Sequence, residues 1–162
     1  MALRDIVYEG DKILTKKCRR VEKFDAKLAQ LLDDMAETLE VEEGVGLAAP
    51  QVGILRRVCI VCVNEEEGVT ELVNPEIIES DGEQYGAEGC LSVPGEYGLV
   101  RRPMHVKVRA QDRNGELFEV EGEGLTARCF CHEIDHLNGI VFTSKCERML
   151  TEEELESGKF NE

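Results

Sequence analysis

Two histidines four residues apart flank a glutamate in the run His132-Glu133-Ile134-Asp135-His136. At about 100° per residue, helical positions four apart lie almost above one another, so on a helix both imidazoles reach one metal ion. Glu133 then faces water at that ion. A divalent metal acidifies such water to a pKa near ~7, and an adjacent carboxylate takes its proton and passes it to a leaving nitrogen. The bland counterpart is a helix that carries two surface histidines and no metal. A catalytic site also needs a third protein ligand and an open position. Residue types leave several candidates for it. Cys129 lies one turn before the His132-Glu133 pair and can point toward the site, whereas Cys131 is rotated away and reads as structural. Cys90 sits in Gly89-Cys90-Leu91-Ser92-Val93-Pro94, a loop-like segment able to approach from another element. Cys59 and Cys62 imitate a zinc knuckle, but on a strand they face opposite sides and read as core filler. Cys18, Cys146 and His105 have no partner visible in the sequence.

A second segment, Gly44-Val45-Gly46-Leu47-Ala48-Ala49, fits the loose form of a dinucleotide-binding fingerprint. That fingerprint must follow a strand and open a helix. Here it follows a helical pattern, and Pro50 with Gly53 stops a long helix from starting, so nucleotide binding is rejected. The run ends at Gln51, which suits a close backbone approach to a ligand with an amide donor beside it. A tight turn with a surface glutamine is the plainer reading.

The elements that must position these residues are partly visible. Leu28, Leu31, Leu32, Met35 and Leu39 recur at spacings of three and four between Asp25 and Glu43. That predicts an amphipathic helix with Asp25 as N-cap and Gly44 as stop. Strand patterns follow at 57–63, 71–79 and 104–110, with Asn114-Gly115 as a hairpin turn before 117–120. A second helix is expected from Leu125 to Gly139. The predicted class is α+β, with antiparallel strands packed around a metal-binding helix and an N-terminal helix.

Composition sets outer limits. The 162 residues read as one domain, 1–162, with no repeat or linker. The formal net charge of −15 argues against a protein whose main business is gripping nucleic acid. No stretch approaches the ~18 apolar residues of a membrane span, and the first residues lack a signal-peptide pattern. Seven cysteines, an odd number without framework spacing, fit a reducing cytoplasm.

Three segments together resemble peptide deformylases: Gly44-Val45-Gly46-Leu47-Ala48-Ala49-Pro50-Gln51, Glu88-Gly89-Cys90-Leu91-Ser92, and His132-Glu133-Ile134-Asp135-His136. The similarity runs from about Ile6 to Phe142. The resemblance implies that Cys90 completes a Cys90-His132-His136 metal set, holding one divalent ion. Ferrous iron is usual in the family, with zinc or nickel able to occupy the same site. It implies Glu133 as the base and Gln51 with the Leu91 backbone N–H as donors to the oxyanion. The methionine side chain would enter a pocket lined by Val45, Leu125 and Cys129. The peptide backbone would lie against Val45–Gly46 and Gly89–Leu91 as an added strand. Glu88 and Arg102 are expected to pair in support of the Cys90 segment. The implied substrate is the N-formylmethionyl end of nascent peptides, handled in the cytoplasm without DNA or membrane partners.

Two departures stand out. Cys131 occupies a position that is usually glutamine in the family, and Arg128 brings a charge to the pocket's helix, where it is expected to snorkel to the rim. Some relatives dock on the ribosome with a longer basic C-terminal helix. Here the segment after Leu150 is short and acidic, so the expected ribosome contact is at most transient. The rival readings are a metallopeptidase, which needs no cysteine ligand, and a non-catalytic metal-binding protein, which needs neither Gln51 nor Glu133.

Overall fold

The computed structural model describes residues 2–158. Its first long element is helix α1 (Ala26–Glu42), capped by Asp25, whose side chain accepts from Leu28 N at 3.1 Å. Leu28, Leu31, Leu32, Met35 and Leu39 form its buried stripe. The helix ends on Glu43 in the left-handed region (φ 55°), so the reversal falls one residue before the expected Gly44. Gly44 serves close packing instead: a Cβ there would meet Leu39 Cδ1 at 2.8 Å and Leu91 Cδ1 at 3.0 Å.

Eight strands follow: β1 (Gly46–Ala48), β2 (Val58–Val61), β3 (Thr70–Asp81), β4 (Gln84–Cys90), β5 (Val93–Arg102), β6 (His105–Gln111), β7 (Leu117–Glu123) and β8 (Arg148–Met149). One sheet has the order β1-β2-β3-β6-β7 and the other β4-β5-β8, with antiparallel pairing throughout. Helix α2 (Leu125–Leu137) follows β7, and a short α3 (Glu152–Ser157) follows β8. The class is α+β.

Strand β2 explains how the layers hold together. All four of its residues are buried, because both faces of the larger sheet are covered at this point. Val58 and Ile60 pack into a core with Leu28, Leu32 and Met35 of α1. Cys59 and Val61, one pleat over, pack into a second core with Phe130, Ile134 and Leu137 of α2. Each fully buried Leu, Ile or Phe side chain contributes about 1.5–3 kcal/mol, so the two faces fix α1 and α2 on opposite sides of one sheet. Cys59 and Cys62 fall in different cores, as opposite strand faces require.

The second sheet departs from expectation. Cys90 was expected in a loop, but it is the last residue of β4 and pairs with Val93 across a two-residue turn at Leu91–Ser92. The hairpin packs Val93 and Val100 against Leu14, Val141 and Phe142, with Cys90 beside them. Its strands lack an alternating pattern because Gly86, Gly89, Gly95 and Gly98 interrupt them.

An extended segment at the start of the chain ties the layers together. Ala2 N donates to Asp34 Oδ1 at 2.8 Å, Val7 N to Gln51 O at 2.7 Å and Glu9 N to Ser92 O at 2.8 Å. At the far end of α2, Arg57 Nη1 donates to Leu137 O at 3.1 Å, a cation where the helix dipole favours one. Among the described residues no helix is long and apolar enough to cross a membrane.

Candidate metal centre and substrate cavity

Helix α2 is buried along most of its length, and its spacing delivers His132 and His136 to the same face. Their rings meet edge to face with centroids 4.9 Å apart. Cys90, at the tip of the β4–β5 hairpin, comes from the other sheet, and its Sγ lies 3.3 Å from His136 Nε2. One ligating atom from each of Cys90, His132 and His136 falls within 4.8 Å of the others. A thiolate and two imidazoles make a donor set suited to zinc, ferrous iron or nickel.

The orientation of His132 supports that fit. Its Nδ1 lies 2.5 Å from Glu88 Oε1, and as a donor to that carboxylate it leaves Nε2 free for an ion. Glu88 is itself clamped. Arg102 approaches it through two nitrogens at 3.0 and 2.6 Å, and Arg128 Nη1 reaches Oε2 at 2.8 Å. Arg102 also reaches Asp135 at 2.6 Å. Burial raises the Glu88 carboxyl, yet the bonds from His132 and Arg102 outweigh it and hold the group well below the usual carboxylate range. Two guanidiniums around one buried carboxylate keep it ionised, and the ionised form is the one that accepts from an imidazole N–H.

Glu133 sits one residue further on, 3% exposed, with Oε2 4.0 Å from His132 Nε2. Burial pushes its carboxyl up to about 7, and Oε1 has no hydrogen-bond partner among the described residues. Gly46 on β1 makes room for it, since a Cβ there would meet Glu133 Cδ at 2.9 Å. The 3-10 turn Ala49–Val52 after β1 brings in Gln51, which is 1% exposed. Gln51 Oε1 accepts from Ala48 N at 2.9 Å, which fixes the amide orientation. Its Nε2 then points at Ser92 Oγ (3.1 Å) and Cys90 Sγ (3.3 Å).

These groups open onto a cavity of about 460 Å³. Val45, Gly46, Gln51, Gly89, Cys90, Leu91, Leu125, Cys129, His132 and Glu133 all line it. Val45 (42% exposed) and Leu125 (52%) stand at the mouth, and Cys129 is buried on the wall. Burial pushes the Cys129 thiol up to about 12, so it stays protonated and acts as an apolar surface. His136, the innermost of the three side chains of metal-ligating type, is fully buried.

Arg128 corrects an expectation. It does not snorkel to the rim but is 6% exposed, bonded to Glu88 and to Val100 O at 3.1 Å. A buried guanidinium needs a paired carboxylate, and Glu88 supplies one from a strand 40 residues away in the chain. Cys131 is buried with its thiol pushed up to about 11, mainly by burial, which fits a structural role. Ser92 as anchor of the Gln51 amide was not anticipated, and neither were Tyr8, Glu42, Glu43 and Tyr97 in the cavity wall. Short-range patterns carry no signal for these residues, because the chain turns that gather them are set by tertiary packing.

The polypeptide deformylase family model matches residues 3–152. The peptide deformylase of Thermoanaerobacter sp. (strain X514) is 51% identical over 160 residues, covering 99% of this chain and 95% of the relative. Peptide deformylase 1 of Bacillus anthracis is 53% identical over 156 residues, covering 96% and 100%. Among solved structures, the crystal structure of peptide deformylase from Thermotoga maritima matches with a TM-score of 0.88 at 40% identity, covering 91% of this chain and 99% of that one. With identity above half over nearly the full length and the same backbone course, the chain belongs to the polypeptide deformylase family.

Proposed function

We propose that this chain is a metal-dependent amide hydrolase that removes the formyl group from the N-terminal formyl-methionine of newly made polypeptides, releasing formate. The observation that carries this reading is convergence on one cavity. Cys90 and His132, the Glu133 carboxyl whose Oε1 has no hydrogen-bond partner among the described residues, and the Gln51 amide all line it, with His136 completing the trio just behind. We take 1–162 as one catalytic domain, working in the cytoplasm on nascent chains, with transient ribosome contact and no DNA or membrane partner.

Cys90, His132 and His136 would hold the ion, ferrous iron in this reading, with zinc or nickel as substitutes. When bound, it supplies Lewis acidity that polarises a carbonyl and acidifies water. The chain's own residues do the rest. Val45, Leu125 and Cys129 receive the methionine side chain, and Val45–Gly46 with Gly89–Leu91 flank the peptide backbone. Glu133 takes a proton from water as the water oxygen bonds to the formyl carbon. Gln51 Nε2, held by Ser92, and the Leu91 N–H donate to the oxygen that becomes negative. Glu133 then delivers the proton to the nitrogen as the C–N bond breaks, and formate and a free amine leave. A formyl carbon bears hydrogen where an acetyl bears methyl, which suits a reacting centre walled by Gly46 and Gly89.

The test compares formyl-methionyl, acetyl-methionyl and unblocked tripeptides with iron-loaded protein kept free of oxygen. Formate from the first alone supports the reading. Internal peptide cleavage would favour a metallopeptidase instead, and tight metal uptake without turnover would favour a binding protein.

A further inference from the structure

Helix α2 turns Leu125, Arg128, Cys129 and His132 toward the cavity, at the spacings of three and four that keep residues on one helix face. Leu125 offers carbon and Cys129 a protonated thiol. Arg128 stands between them in sequence and is the one basic side chain other than His132 among the described residues that line the cavity. Strand β4 leaves space for it. Position 86 carries no side chain, and a Cβ there would lie 3.4 Å from Arg128 Nη2. A guanidinium is thus built into the same wall that receives the methionine side chain.

Its donors are not all used. Nη1 donates to Glu88 Oε2 at 2.8 Å and to Val100 O at 3.1 Å, with Gly86 O at 3.4 Å. Nη2 has one long bond, to Gln84 Oε1 at 3.5 Å, and Nε donates to nothing among the described residues. A guanidinium carries five N–H donors, and this side chain is too buried for bulk water to satisfy the rest. The charge, by contrast, is matched: Arg102 and Arg128 stand against Glu88 and Asp135. The group lacks acceptors rather than negative charge. A neutral, strongly polar acceptor fits that need, whereas an anionic side chain would meet Glu88 in the same wall.

We propose that Arg128 sets the specificity of the methionine pocket by admitting a neutral hydrogen-bond acceptor, so that the chain also deformylates peptides beginning with formyl-methionine sulfoxide. The inference rests on the function proposed above. Oxidation adds one oxygen to the methionine sulfur and makes the side chain polar and chiral. In a wholly apolar pocket that oxygen would lose water and gain no partner. Here the spare N–H groups of Arg128 supply one. The sulfur takes no part in the chemistry: water adds to the formyl carbon, the amide C–N bond breaks, and formate leaves a free amine whose sulfoxide is unchanged. Because the donor is fixed on a helix and held by Glu88, one sulfoxide epimer should fit better than the other.

The experiment measures kcat/KM for formate release by the full chain, loaded anaerobically with ferrous iron. The substrates are formyl-methionyl and formyl-norleucyl tripeptides and the two separated epimers of the formyl-methionine sulfoxide tripeptide. Norleucine matches methionine in length and carries no sulfur. The ratio of sulfoxide to norleucine therefore isolates the acceptor and cancels any loss of folded or loaded enzyme. In wild type the better epimer should be processed within about tenfold of norleucine. Arg128→Met should lower that ratio a further tenfold or more, as loss of a hydrogen bond from a charged donor does. Arg128→Lys keeps a cation beside Glu88 with fewer donors, guards against poor folding of the methionine variant, and should lower the ratio about two- to fivefold. Exclusion of both epimers by more than tenfold in wild type, or a ratio unchanged in the variants, would overturn the proposal. Formate from the methionyl and norleucyl peptides with both epimers refused removes this inference and leaves the enzyme. No formate from any peptide removes the function proposed above and this inference with it.

Discussion

Replacing Glu88 by glutamine tests how the metal centre is supported. The substitution keeps size and removes the charge that Arg102, Arg128 and His132 share. The side chains of Arg102 and Arg128 are only 3% and 7% exposed, so their charge cannot be solvated in place. Breaking a buried pair typically costs about 3–5 kcal/mol because a charge is left uncompensated. Arg102 keeps Asp135 and Arg128 keeps Val100 O, which places the expected loss near the lower end of that range. At about 2–4 °C per kcal/mol for a domain of this size, the melting temperature should fall by about 6–12 °C. A glutamine oxygen is also a weaker acceptor for His132 Nδ1–H, and loss of such an orienting partner costs about 10- to 100-fold in metal affinity. Arg128→Met removes one of the two guanidiniums and leaves Glu88 bonded to Arg102 and His132. It should cost about 1.5–3 kcal/mol, the value of a hydrogen bond to a charged group, with metal affinity nearly intact. Calorimetry on chelated and zinc-loaded protein, with competition titration for the metal, separates the two effects. A Glu88→Gln protein that melts within 2 °C of wild type and binds zinc equally would refute the clamp, as would an Arg128→Met protein that loses metal as badly.

Three further outcomes are expected. Gly46→Ala drives a methyl into the Glu133 carboxylate, so turnover should fall about 100-fold while metal content is unchanged; normal turnover would show that the close approach does not matter. Gln51→Ala should lower kcat about 100- to 1,000-fold with little change in KM, and a KM effect alone would contradict its role at the oxyanion. Cys90→Ser replaces the soft ligand, and metal retained through dialysis as well as in wild type would remove Cys90 from the ligand set.

Much of this organisation was legible before any coordinates, for identifiable reasons. The stripe of α1 and the four-residue spacing of His132 and His136 are local regularities of a helix, and local regularities survive folding. The third ligand was different. Spacing left Cys90 and Cys129 as rivals, and only the resemblance of three motifs selected Cys90. The β4–β5 hairpin was invisible because glycines at 86, 89, 95 and 98 erase the alternation that marks a strand. Arg128 was misplaced because nothing near it in sequence announces Glu88, its partner across the sheet-helix interface. The Ser92 anchor of Gln51 belongs to the same class: a polar contact between segments 41 residues apart has no periodicity to read.

The central claim is that Glu133 moves the proton while Cys90, His132 and His136 only hold the ion. The most direct measurement is formate release from a formyl-methionyl tripeptide by wild type and Glu133→Ala, each loaded anaerobically with one equivalent of ferrous iron confirmed by metal analysis. The account predicts robust release by wild type, abolished by a chelator, and turnover at least 100-fold slower in Glu133→Ala at equal metal content. Near-normal release by the variant, or none by fully loaded wild type, would contradict it.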